Sequence, residues 1–190
     1  MKKGLIITLP QSDDVTEYLA VFSKPIIEEC KRRSIKFHEL KKEKANKIEF
    51  ESSLRGYDYN FVVLNGHGEE NCVTGHQCKE IIVKGDNDAL LSGRITYARS
   101  CWAAAGLGTC YDSDEVGCFV GYNIPFMFLI DTTRETNPIK DKIAEVFFET
   151  SNRFPIGIIK GQTTKQANDN SKKSMLKEIK KALIKGDKDS

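Results

Sequence analysis

No apolar run in this 190-residue chain approaches the ~18–20 residues needed to cross a bilayer. The opening "MKKGLIITLPQSDD" has two lysines before an apolar stretch, but that stretch is only about six residues long and no small-residue cleavage site follows it. Export is therefore not expected, and the segment suits a first strand in a cytoplasmic protein. Charge of one sign is also scarce: a net charge of +2 gives no reason to expect nucleic acid as a partner. Internal repeats are absent, and low complexity is confined to the closing "KGDKDS". Six cysteines in a chain of this length are too sparse for a disulfide framework, which belongs to short secreted domains. They are expected to be reduced thiols, with Cys30 and Cys118 packing in the core.

What remains is ordinary globular composition, 39% hydrophobic and 29% charged, enough for one domain with a real core. The expected division is a single domain over 1–185 and a solvated tail at 186–190. Short apolar runs at "GLIITL", "KFHEL", "YNFVVLNG" and "RITYARS" predict strands. "GCFVGY" and "PFMFLI" are further strand candidates. From Asp13 to Arg33, apolar residues recur at helical spacing, with Asp13 or Asp14 as cap and a kink at Pro25. A short helix is expected around Ile48–Leu54, and "WAAAG" suits a helix start.

Glycines at 75, 85 and 93 cut residues 72–94 into a hairpin or meander. "TNPIKDKIAEVFFETSN" predicts a helix with Ile139, Ile143, Val146 and Phe147 on its apolar face. The last segment, Thr163 to Lys185, places Ala167, Met175, Ile179, Ala182 and Leu183 on one stripe. That stripe already explains the spacing of its lysines, which are expected to form a solvated face. Strands alternating with helices imply an α/β fold, a largely parallel central sheet with helices on both faces.

In such sheets ligands gather outside the carboxyl ends of the strands. His67, flanked by glycines in "NGHG", and Cys101, closing "ITYARSC", each lie just past a predicted strand. A cysteine nucleophile needs an acid–base partner near it in space, not in sequence. A glycine-flanked histidine also lets a substrate backbone approach closely.

These pieces resemble the caspase-like cysteine peptidases, which include caspases, gingipains, clostripain, separase and CHAT domains. The resemblance spans roughly residues 60–170 and rests on "FVVLNGHG", then "ITYARSC", with support from "FVGYNIPF" and the Gly-Gln-Thr that starts the last long helix. Cys101 follows His67 by 34 positions, fewer than the ~50 of caspases, and "ARSCW" is not the caspase pentapeptide. Both departures favour the CHAT and gingipain branch.

The resemblance implies a caspase-haemoglobinase-like fold and hydrolysis of protein or peptide substrates, without a cofactor or a membrane partner. Cys101 would be the nucleophile, His67 the acid–base group, and the Gly68 and Cys101 amides the oxyanion donors. It also implies a substrate pocket bordered by Arg99, Tyr122 and Asn123. At that wall Arg99 would repel Lys or Arg side chains; on the alternative, it points to the other face of its strand. Acidic Asp112, Asp114 and Glu115 could reverse the preference. Activation by a partner, a ligand or self-cleavage is expected, with the loop 106–118 as its place.

Two rival readings compete. A fold retained as a catalytically silent binding or scaffold module would lack a reactive thiol. A metal-binding domain would draw on Cys72, His76 and Cys78, but Cys-x₃-His-x-Cys fits no standard zinc spacing. "KGDNDALLSG" lacks the alternating oxygen ligands of a calcium loop. No metal is expected.

Overall fold

Short β-rich runs and intervening amphipathic segments make a parallel sheet the economical way to bury this chain's apolar residues. A computed structural model of the protein describes residues 4–110 and 117–189. It separates into two compact units, one ending at Met127 and one beginning at Phe128.

The first unit holds a five-stranded sheet. Its strands are β1 (Gly4–Leu9), β2 (Phe37–Lys41), β3 (Tyr59–Asn65), β7 (Ile95–Arg99) and β8 (Cys118–Val120), in the order β2-β1-β3-β7-β8. All four pairings are parallel. A small antiparallel sheet of β4 (Gly68–Glu69), β5 (Cys72–Thr74) and β6 (Glu80–Val83) follows β3, as the glycine-cut meander predicts.

Side chains alternate across a strand, so each strand feeds two layers. Ile6, Val62, Leu64 and Ala98 join one buried cluster with Phe50 and Leu54 of α3 (Lys47–Gly56) and with Val73 and Ile82 of the small sheet. Arg99, one residue beyond Ala98, turns the opposite way and meets α1 (Asp14–Val21) and α2 (Lys24–Arg32). These replace the single kinked helix expected over 13–33. The chain breaks at Phe22–Ser23, and Pro25 sits in the first turn of α2, where its missing N–H costs no helical bond.

Further differences lie after Cys101. "WAAAG" forms turns leading to a short 3₁₀ segment, Leu107–Cys110, rather than an α-helix, and "PFMFLI" carries no strand. In the second unit, α4 (Lys142–Ile159) starts later than expected because Asp141 caps it, accepting from the Ile143 and Ala144 amides. Its buried face carries Ala144, Phe148, Ser151, Phe154 and Ile158, while Ile139, Ile143 and Val146 are exposed. The expected stripe was thus offset from the true one. Phe128 meets Phe148 edge-on at 4.7 Å. The last helix, α5 (Thr164–Asp189), runs on through the expected tail; Ala167 is buried, but Ile179 and Leu183 are exposed. No helix among the described residues is long and apolar enough to cross a membrane.

A buried polar network joins the carboxyl ends of the three central strands. Thr8 Oγ1 donates to the Asn65 carbonyl at 2.9 Å, and Asn65 Nδ2 donates to the Thr8 carbonyl at 2.8 Å. Arg99 Nε donates to Asn65 Oδ1 at 2.9 Å, and its Nη2 to Ser23 Oγ at 2.6 Å and the Leu19 carbonyl at 3.1 Å. Burial pushes the Arg99 pKa below the ordinary arginine value, partly opposed by Tyr97 and Tyr122.

Arg99→Ala should destabilise the fold by about 3 kcal/mol or more, because it leaves several buried acceptors unsatisfied and opens a cavity. Urea unfolding of the variant beside wild type checks this. A loss below about 1 kcal/mol would mean water readily replaces the guanidinium.

Candidate active site

The sheet reverses its winding between β1 and β3: β2 lies outside β1, while β7 and β8 continue beyond β3. Such a switch point opens a crevice at the strands' carboxyl ends. Asp13 follows β1, and His67 follows β3, so both belong to the exits that flank this crevice.

Register brings the cysteine to the same rim. Asn65 pairs with Arg99 across β3 and β7, and His67 and Cys101 each follow their strand's paired residue by two positions. Gly68 makes this approach possible. A Cβ on it would lie 1.9 Å from Ser100 Oγ and 2.7 Å from the Cys101 carbonyl oxygen. The His67 and Cys101 turns therefore pack backbone against backbone.

His67 is half-buried, and its Nε2 donates to Asp13 Oδ2 at 2.9 Å. Asp13 caps α1 with its other oxygen, which accepts from the Thr16 amide at 2.8 Å. Burial works against the Asp13 charge, but the Thr16 amide, the His67 contact and the Thr16 hydroxyl together hold its pKa below the ordinary carboxylate value. The His67 carbonyl accepts from the Thr74 amide at 2.9 Å, which fixes the loop from the far side. An oriented imidazole with Nε2 on a carboxylate leaves Nδ1 available for proton transfer.

Cys101 is partly exposed, with its thiol 3.9 Å from the Phe126 carbonyl. Trp102, the next residue, has φ 59°, a left-handed conformation that non-glycine residues seldom adopt. It is held there by its amide's bond to the Ile124 carbonyl at 3.3 Å and by Ala104 N donating to the Tyr122 carbonyl at 3.0 Å. Strain of this kind gathers at functional sites. Ser100 beside it is buried, and its hydroxyl has no hydrogen-bond partner among the described residues. Cys30 and Cys72 are poor nucleophiles by contrast: burial, aided by Glu29, pushes the Cys30 pKa up to about 11, and burial likewise raises that of Cys72.

The expected pocket residues separate. Arg99 does not line a pocket: it is fully buried, its guanidinium bonded to Asn65, Ser23 and Leu19, because strand alternation turns it toward α1 and α2. Tyr122 and Asn123 do lie on the segment beside the Cys101 turn. Tyr122 packs on Phe126 at 4.8 Å, with its hydroxyl 3.4 Å from that of Tyr97, and burial raises its pKa well above the ordinary tyrosine value. Asn123 is exposed. An open cleft of about 330 Å³ borders the turn, lined by Glu69, Glu70, Asn71 and Trp102. The acidic stretch Asp112, Asp114 and Glu115 lies outside the described residues.

Sequence reasoning missed Asp13 as a partner for His67, treating it only as a cap. The available signal was its position just past a third strand's carboxyl end. It also grouped Cys78 with Cys72 and His76, whereas folding buries Cys72 in β5 and sets His76 Nδ1 3.2 Å from the Pro10 carbonyl. Cys78 stands instead with Asp13 and His67.

Gly68→Ala should cost about 1–3 kcal/mol of stability by forcing the two turns apart, measurable as a lower unfolding midpoint. Asp13 gives an acid-limb test. Its folded pKa lies below the ordinary 3.8, so its contribution is complete above that value and is lost as pH falls through the folded-state pKa. Asp13→Asn should flatten the stability profile in that acid window while leaving its shape near neutrality, followed by unfolding at a series of acidic pH values. Compared with known protein families and with curated protein sequences, the chain matches none of them, so its functional reading rests on this geometry.

Proposed function

We propose that the chain is a cysteine endopeptidase of the caspase-like kind, acting on protein or peptide substrates in a reducing, cytoplasmic setting. The observation that carries this reading is the register of β3 and β7, which aligns the exits leading to His67 and Cys101. Their order along the chain, strand to His-Gly and later strand to Ser-Cys, is the one the family resemblance implies, and a parallel α/β sheet agrees with it.

In this mechanism the Cys101 thiolate forms a bond to the carbonyl carbon of the substrate. The tetrahedral oxyanion is met by the Gly68 and Cys101 amides, donors typically worth about 10²–10³ in rate each. His67, held by Asp13, protonates the departing amine, and water then releases the acyl group from sulfur. With Arg99 buried, Glu69 and Glu70 line the cleft that adjoins the Cys101 turn at Trp102. Two carboxylates there favour a cationic side chain near the scissile bond, the reverse of what Arg99 suggested. A partner, a ligand or self-cleavage is proposed to switch the enzyme on, with the loop 106–118 as its place.

The test is a peptide-mimicking electrophile bearing Arg or Lys, followed by mapping of the labelled thiol and by turnover of matched peptides. Labelling should fall on Cys101, Cys101→Ala should abolish turnover, and His67→Ala should lower it by about 10²–10⁴. Glu69→Gln with Glu70→Gln should weaken the preference for basic peptides. Equal labelling of Cys78, Cys101 and Cys118, with no turnover under any activating condition, would instead mark a silent scaffold.

A further inference from the structure

We propose that Asp13, His67 and Cys78 form a binding site for a zinc-class divalent cation at the switch point of the sheet. Their donor atoms, a carboxylate oxygen, an imidazole nitrogen and a thiol sulfur, all lie within 4.8 Å of one another. Bond lengths for tetrahedral zinc place such donors about 3.3–3.7 Å apart. The Asp13–His67 pair, at 2.9 Å, needs to open slightly, and the sulfur needs to close by at most about 1 Å.

Each donor comes from a separately anchored segment. Asp13 commits one oxygen to the Thr16 amide and leaves the other for His67 or a metal. His67 is fixed through its carbonyl by Thr74. Cys78 stands in a turn where two consecutive non-glycine residues, Gln77 at φ 56° and Cys78 at φ 57°, are left-handed. That turn is pinned by the Gly75 amide on the Lys79 carbonyl at 2.7 Å, by the His76 amide on the Ala45 carbonyl at 2.7 Å, and by His76 Nδ1 on the Pro10 carbonyl. Two strained residues in succession persist only where the surroundings impose them. Here they carry an exposed thiol to an Asp–His pair.

The donor set selects the ion. Thiolate with imidazole suits zinc or cobalt and disfavours magnesium and calcium, which take all-oxygen shells. Binding releases the Cys78 proton, and three protein donors leave a fourth position for water. The cation would also take His67 away from acid–base work, leaving Cys101 untouched. That consequence rests on the peptidase reading; the site itself does not.

Cobalt(II) titration of the reduced, metal-free protein tests the site directly. A thiolate-to-cobalt charge-transfer band should grow to saturation at about one equivalent and be displaced by zinc. Cys78→Ser should remove that band, His67→Gln and Asp13→Asn should weaken cobalt binding about tenfold or more, and Cys101→Ala and Cys72→Ser should leave it unchanged. Circular dichroism of each variant confirms that it is folded. Charge transfer surviving in Cys78→Ser, or its loss in Cys101→Ala, would overturn the assignment, as would failure of wild type to bind cobalt. Because Cys101→Ala is expected to be inactive yet cobalt-competent, failure of the peptidase reading and failure of the metal site give different results.

Discussion

A guanidinium buried among strand ends sets the terms for everything above it. Arg99 ties β7 to Asn65 at the end of β3 and to Ser23 and Leu19 at the α1–α2 junction, and Asn65 in turn grips Thr8 of β1. Taking a charge out of water is costly, and hydrogen bonds to it must offset that cost. The network fixes three strand exits relative to one another, two residues before His67 and Cys101 begin to diverge from the sheet. A loop site gains positional accuracy when its stems are locked in this way. The break between α1 and α2 belongs to the same device, since it frees Ser23 and the Leu19 carbonyl to accept from Arg99.

Much of the sheet was legible because its strands are buried and short. "GLIITL", "YNFVVLNG" and "RITYARS" could hardly be amphipathic helices, and the glycine-cut meander announced its own turns. The polar residues closing those strands were the harder signal. Thr8, Asn65 and Arg99 fall inside the predicted strands, but nothing in the sequence marks them as buried and bonded to one another. Whether Arg99 faced a substrate or the core depended on the phase of one strand, which a period of two leaves undecided when both faces are covered. In α4 the apolar face was misplaced for a related reason: isoleucine and valine at 139, 143 and 146 outweighed alanine, serine and phenylalanine at the positions actually buried.

The candidate site was half legible. Strand exits exposed His67 and Cys101, because a ligand at the edge of a parallel sheet must meet the residues just past the strands. Asp13 and Cys78 were hidden because their nearness to His67 is tertiary. Asp13 is 54 residues from His67, and only the adjacency of β1 and β3 unites them. Cys78 arrives through the small antiparallel sheet and a left-handed turn, neither of which composition marks. Local spacing grouped Cys78 with Cys72 and His76, whereas folding places its thiol near Asp13 and His67.

The two proposals would have His67 serve two kinds of chemistry that compete for one imidazole. On the proposed peptidase reading it would serve proton transfer toward Cys101, whose turn packs against its own at Gly68. Toward Asp13 and Cys78 it completes a set of donors suited to a soft cation. A hydrogen bond to Asp13 orients the ring for the first role, and a metal bridging the same carboxylate and ring captures it for the second. On these proposals the two roles would call for only small side-chain movements, within the frame that the Arg99 network fixes. If both proposals hold, metal binding would silence the peptidase without a large conformational change, because Asp13, which orients the imidazole, would share it with the metal.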